Sequence, residues 1–97
     1  MFSQNLFLVN NDDMNPYASR GDIVIYEPIQ MGERIYKCVY VVEYKGKRMI
    51  VRIHTLIRGG MCLLFDSDRD KMIELKQSER VEVIFFGRVS KVLKRLE

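Results

Sequence analysis

No run of the 97-residue chain approaches the roughly 18 consecutive apolar residues of a membrane-spanning helix, and no basic-then-apolar leader opens it. A soluble, cytoplasmic protein without membrane contact is therefore expected. Cysteine and histidine are scarce: only Cys38, Cys62 and His54 occur. That set cannot fill the ligand shell of a structural zinc ion, so neither a metal nor another cofactor is expected. Each cysteine lies in an apolar, strand-like run, which suits a buried reduced thiol better than a disulfide framework. Internal repeats, low-complexity tracts and linkers are also missing. The net charge is only +3, so any electrostatic attraction for a partner has to come from a local patch.

What is present favours strands. The chain is 47% hydrophobic and 30% charged, enough for one modest core, and its five Tyr, five Phe and many β-branched residues suit a pleated surface. Turn residues divide it into short extended pieces: Leu6 to Val9, Ile23 to Tyr26, Cys38 to Tyr44, Met49 to Leu56, Met61 to Phe65, Met72 to Leu75 and a long Val81 to Leu93. Asn10 to Arg20 reads as a polar loop containing Pro16, Pro28 to Glu33 as a connection, Lys45-Gly46-Lys47-Arg48 as a hairpin turn, Arg58-Gly59-Gly60 and Asp66 to Lys71 as further turns. Helical spacing appears only at Val89, Val92, Leu93 and Leu96, where a final strand fits equally well. The expectation is one all-β domain over residues 1–97.

Three segments carry chemical information. The first is Asn11-Asp12-Asp13-Met14-Asn15-Pro16 followed by Arg20-Gly21-Asp22-Ile23-Val24-Ile25; the second is Val51-Arg52-Ile53; the third is Phe86-Gly87-Arg88-Val89. In order and separation they resemble the LexA-like family, the C-terminal domains of bacterial and phage repressors, from about Leu8 to about Leu93. In that family a Gly-Asp-Ser-Met-x-Pro stretch supplies a nucleophilic serine and a Val-Lys-Arg strand supplies a catalytic lysine. Here Asp13 stands at the serine position and Arg52 at the lysine position. The resemblance implies a β-clip type fold of about seven short, mostly antiparallel strands.

The replacements are incompatible with the family's self-cleavage. A Ser–Lys dyad needs a neutral amine to take the hydroxyl proton. Arg52 keeps its proton under ordinary conditions, and the Asp13 carboxylate is a poor nucleophile towards amides. The chain is therefore expected not to be an enzyme. A guanidinium does fit a carboxylate at two points, so Asp13 and Arg52 are expected to form a salt bridge, the alternative being that both face solvent.

Other nucleophile candidates are weaker. Ser3, Ser19, Ser67, Ser78 and Ser90 are the only serines; Ser19 shares the loop of Asp13 but is explained by turn chemistry. Lys47 lies in a hairpin turn, where a solvated amine is expected, and His54 is expected half-buried on the sheet face opposite Arg52. The family's scissile Ala-Gly or Cys-Gly is missing too: Ala18 precedes Ser19 and neither cysteine precedes glycine. Asp66-Ser67-Asp68-Arg69-Asp70 has the alternating acids of a calcium loop, but Lys71 and Gln77 stand where an EF-hand needs Gly and Glu. A turn is expected there, similar to the family's Ser-Asp-Asn turn.

The resemblance implies a non-catalytic dimerisation or oligomerisation domain of a repressor, normally following an N-terminal helix-turn-helix. Such a domain pairs two DNA-binding heads across a two-fold operator. No such head occurs in this chain, so a fragment of a longer regulator or a stand-alone module is expected. Partners would be a second copy of the chain, operator DNA through the separate head, and an antirepressor as inducer. Val81, Val83, Phe85, Val89, Val92 and Leu93, on an exposed late strand, are the expected interface. Two alternatives are a small β-barrel binding nucleic acid through Lys45, Lys47, Arg48, Arg52 and Arg58, with Lys91, Lys94 and Arg95 of the tail and with Tyr36, Tyr40 and Tyr44 as stacking platforms, and a processed subunit resembling the family's polymerase-accessory branch. Burial is the default for three tyrosines spaced four apart on one side of a strand.

Overall fold

A computed structural model of the chain describes residues 5–30, 35 and 38–96. Seven strands form one antiparallel sheet: β1 (Asn5–Leu8), β2 (Ile23–Pro28), β3 (Val39–Tyr44), β4 (Lys47–Thr55), β5 (Met61–Phe65), β6 (Asp68–Leu75) and β7 (Val83–Leu93). Their spatial order is β1-β2-β7-β3-β4-β5-β6. The all-β expectation and the strand number hold. Ser3 and Tyr36 lie outside the described residues.

Local chemistry accounts for the turns. Lys45 (φ 52°) and Gly46 (φ 78°) are the two central residues of the β3–β4 hairpin, and a turn with positive φ at both positions matches the twist of the strands it joins. Between β5 and β6 the turn is only Asp66-Ser67, so β6 starts at Asp68 rather than Met72. The charged residues Asp68 to Lys71, read from sequence as a turn, are the first half of an edge strand, where water can solvate alternate side chains. Gln77–Glu82 forms a short 3-10 helix before β7, which places Val81 outside the final strand. At the other end Val89, Val92 and Leu93 are extended, so the strand reading of that stretch prevails.

Apolar residues bury on both faces of the central strands. Tyr40, Val42, Met49, Val51, Ile53, Met61, Leu63, Phe65, Leu75 and Val83 make one cluster. Val39, Val41, Ile50 and Val24 make a second on the other face, roofed by Val9, Met14 and Ala18 from the loop between β1 and β2. Because successive strand residues alternate between faces, β3 serves one cluster with Val39 and Val41 and the other with Tyr40 and Val42. Its unbroken apolar run follows from this double burial.

Two sequence expectations are corrected by the pairing. β7 bridges β2 and β3: Gly87 and Arg88 pair with both, Val83 to Phe85 with β3 alone and Val89 to Leu93 with β2 alone. Val83 is 6% exposed and belongs to the first cluster, Phe85 packs edge-on to Tyr40 at 5.6 Å, and Val89 and Val92 pack against the second cluster. Of the expected interface residues only Val81 and Leu93 are exposed. His54 is the other correction: two residues from Arg52 on β4, it shares that residue's face, and it is exposed rather than half-buried. Tyr40 is 1% exposed and cannot stack a base, as the burial default for these tyrosines anticipates.

Candidate functional site

The loop between β1 and β2 is built by its own polar side chains. The Asn11 carboxamide oxygen accepts the Asp13 N–H at 2.9 Å, and the Asp12 carboxylate accepts the Arg20 N–H at 2.9 Å, the local bonding that lets Asn and Asp replace regular structure with turns. Gly21 takes φ 94° and donates its N–H to the Val9 carbonyl. A Cβ at Gly21 would also strike the Arg95 side chain at 2.7 Å. The positive φ is what requires glycine there, since the end of a flexible arginine can swing aside.

Asp22 ties this loop to the end of the chain. It is 4% exposed, and its carboxylate accepts the N–H groups of Arg95 and Ser19, each at 2.8 Å. Lys94 Nζ lies 3.4 Å from Asp22 and donates to the Pro16 and Tyr17 carbonyls at 3.0 and 2.8 Å. The Arg95 and Ser19 N–H bonds, with help from Lys94, hold the Asp22 carboxyl below the usual carboxylate range despite its burial. Gly-Asp is thus a clamp rather than a catalytic pair.

So held, the loop reaches the β5–β6 turn. Met14 is completely buried, with its sulfur 3.5 Å from the Asp66 amide nitrogen, and the Asp13 carbonyl accepts the Ser67 N–H at 3.0 Å. Met14 packs in one cluster with Ile50 of β4 and Pro16 lines a cleft with Arg52, whereas Asp13 reaches the β5–β6 turn and β6. The expected Asp13–Arg52 salt bridge is not formed, however. Arg52 meets Asp66, Nε to Oδ1 at 2.9 Å and Nη2 to Oδ2 at 2.6 Å, while the Asp13 carboxylate pairs with Lys71 at 3.3 Å.

The register explains the exchange of partners. Arg52 lies opposite Leu64, so Asp66 is its diagonal neighbour on the same face, within reach of a long side chain. Two parallel N–H···O bonds to a planar guanidinium give the geometry that this pairing prefers. The Arg52 bonds hold the Asp66 carboxyl below its ordinary value, and the Asp66 bonds push the Arg52 guanidinium further up. Tyr17 lies against Arg52, with the guanidinium carbon 5.5 Å from the ring centre. Burial raises the Tyr17 phenol, with Arg52 opposing.

Beside this pair opens a cleft of about 560 Å³ lined by Pro16, Arg52, Leu64, Phe65, Asp66 and Arg69. The lining holds no hydroxyl, thiol or amine, its one carboxylate, Asp66, is bonded to Arg52, and Arg52 is not a proton acceptor at ordinary pH. From sequence, Tyr17 carries no site reading, Lys94 belongs only to the basic tail, and Asp66 and Arg69 only to a turn with the acid spacing of a calcium loop. Asp66 is legible in principle, because a hairpin centred on Arg58 pairs residue 52 with 64 and makes 66 diagonal to 52. The remaining three depend on how the loop and β6 fold over the sheet, for which no short-range pattern exists.

Elsewhere, Cys38 and Cys62 are free thiols, and burial followed by the nearby Glu74 pushes the Cys62 thiol up. Among the described residues no group of three His, Cys, Asp or Glu side chains is placed to hold a metal ion. Nor is any helix there long and apolar enough to cross a membrane. No model of a known protein family matches the chain, and no curated protein sequence matches it.

Proposed function

We propose that this chain is a non-catalytic, LexA-like dimerisation domain of a transcriptional repressor, whose peptidase site has become a structural joint. The observation that carries the reading is the two-point Arg52–Asp66 bond. At the strand position where the resemblance expects a neutral lysine stands a permanently charged guanidinium, already committed to a carboxylate. The Asp13 carboxylate beside it is held by Lys71. Neither group can play its part in a Ser–Lys dyad, since Asp13 carries no hydroxyl and Arg52 no neutral amine, which supports regulation without self-cleavage. Induction then falls to a partner such as an antirepressor protein, and DNA contact to a separate helix-turn-helix head.

Support for self-association comes from surface apolar residues. Val81 is 86% and Leu93 40% exposed, joined by Ile57 at 105% and Ile84 at 52%. Such residues favour removal from water when gathered at an interface. Sedimentation equilibrium over a concentration series, with and without single- and double-stranded DNA, tests the proposal. The expected outcome is a reversible dimer whose mass distribution is unchanged by DNA. A monomer that binds DNA by itself, increasingly as salt is lowered, would replace it with the nucleic-acid reading carried by Lys45, Lys47 and Arg48 at the exposed hairpin tip.

A further inference from the structure

We infer that the cleft beside Arg52 is a binding site for an extended peptide that presents a carboxylate next to an apolar side chain. The inference stands on the cleft's own geometry and not on the repressor reading.

Charge accounting around the cleft leaves one cation over. Arg52 is balanced by Asp66, and Lys71 by Asp13. Arg69, on the cleft rim, forms no ion pair among the described residues, its field reaching only the already engaged Asp66. The neighbouring acids Asp68 and Asp70 form no ion pair with it among the described residues; the Asp68 carboxylate accepts the Asp70 N–H instead. Arg52 itself spends Nε and Nη2 on Asp66, which leaves Nη1 without a hydrogen-bond partner among the described residues. Two guanidinium groups with unused N–H donors thus face one concavity, a donor set shaped for a carboxylate.

The rest of the lining selects the body of the ligand. Pro16, Leu64 and Phe65 are apolar, and the volume of about 560 Å³ is of the size that holds a small molecule or a few residues of peptide. Pro16 is fixed from behind by Lys94, and Phe65 by the Lys71 ammonium 4.6 Å from its ring centre. The walls are therefore preformed. A bare inorganic anion would satisfy Arg69 but leave these walls wet, whereas a leucine-like side chain beside the carboxylate fills both halves.

The test uses the whole chain and fluorophore-tagged, acetylated short peptides read by anisotropy at about 0.15 M salt, where exposed charges beyond roughly 8 Å are screened. One peptide places leucine beside aspartate; its twin carries asparagine instead. The aspartate peptide is expected to bind at least about tenfold more tightly than its twin, a difference of about 1.4 kcal/mol. Arg69→Gln is expected to abolish that preference and Arg69→Lys to restore part of it, with thermal midpoints close to the parent because Arg69 is exposed. Lys47→Gln, at the distant hairpin, is expected to leave the preference intact. Equal binding of the twins, no binding of either, or equal sensitivity to Lys47→Gln and Arg69→Gln would each overturn the inference. So would full competition by inorganic phosphate at the same concentration as the aspartate peptide, since that would reduce the site to one for anions alone.

Discussion

Arg52 and Asp66 meet at two points, 2.9 Å and 2.6 Å apart, across the diagonal of the β4–β5 ladder. Their side chains are 36% and 22% exposed, so the pair is neither a solvated surface contact nor a fully buried one. Removing one partner leaves the other half-desolvated beside Tyr17. Asp66→Asn is expected to cost about 1–3 kcal/mol, between the surface-pair and buried-pair ranges. Replacing both, as Arg52→Met with Asp66→Leu, is expected to cost less than the sum of the single changes. Urea denaturation of the four proteins checks this through the coupling term.

Stability should fall at low pH for the same reason. Asp22 and Asp66 both titrate below the ordinary carboxylate range in the folded chain, Asp22 mainly through the Arg95 N–H and Asp66 mainly through the Arg52 side chain. A depressed folded pKa means that the unfolded chain takes up its protons first as pH falls. The stabilisation is complete above an unfolded value of about 3.9 and disappears as pH drops through the lower folded values. Urea midpoints at pH 7 and pH 3 should therefore differ more for the parent than for the Asp22→Asn, Asp66→Asn double variant. An equal drop in both would assign acid sensitivity to other carboxylates.

Asp13 and Met14, adjacent in sequence, should behave oppositely. The Asp13 carboxylate forms a part-exposed pair with Lys71, so Asp13→Ala is expected to cost within about 0.5–1 kcal/mol. Met14 is fully buried between loop and sheet, and Met14→Ala is expected to cost about 2–5 kcal/mol. Thermal unfolding of the two variants distinguishes a structural loop, held by its apolar anchor, from one held by its charge.

These outcomes mark where the sequence was legible. Strand type followed from β-branched and aromatic runs, and the hairpin at Lys45-Gly46 from a glycine between two such runs. Of the loop residues, Pro16 shares a cleft with Arg52, while Asp13 pairs with Lys71. The partner of Arg52 was misassigned because motif order pairs the loop with the strand, whereas the nearest carboxylate is decided by ladder register. The place of β7 is not legible because chain order does not give sheet order: the last strand bridges β2 and β3, its later half paired with one and its earlier half with the other. His54, two residues from Arg52 on β4, shares its face by strand alternation and is exposed.

Gly87 and Gly46 separate two kinds of glycine requirement. A Cβ at Gly87 would fall on the Glu27 carbonyl and against the Tyr26 ring, where β2 crosses close to β7. Backbone cannot swing aside as a flexible side chain does, so Gly87→Ala is expected to cost at least about 2 kcal/mol by overpacking. At Gly46 a Cβ meets open space, and only the positive φ opposes it. Gly46→Ala is expected to cost about 1–2 kcal/mol. A larger loss at Gly46 than at Gly87 in urea denaturation would contradict the close approach of β2 to β7.

The dimer reading makes different demands of residues that sequence alone grouped together. Val83 and Val81 are two positions apart, yet Val83 is in the core and Val81 stands almost wholly in water on the 3-10 helix. An aspartate at Val83 buries an unpaired charge and should unfold the chain at any concentration. Val81→Asp and Leu93→Asp replace exposed apolar side chains, so each monomer should keep its thermal midpoint at low concentration. If these residues lie within the self-association surface, each change weakens the dimer by about tenfold or more, equivalent to about 1.4 kcal/mol. Sedimentation equilibrium paired with circular dichroism reads both properties on the same samples. Folded variants that dimerise like the parent would move the interface away from the late segment, towards the exposed Leu6 and Leu8 of the edge strand β1, where unpaired backbone groups invite a further strand.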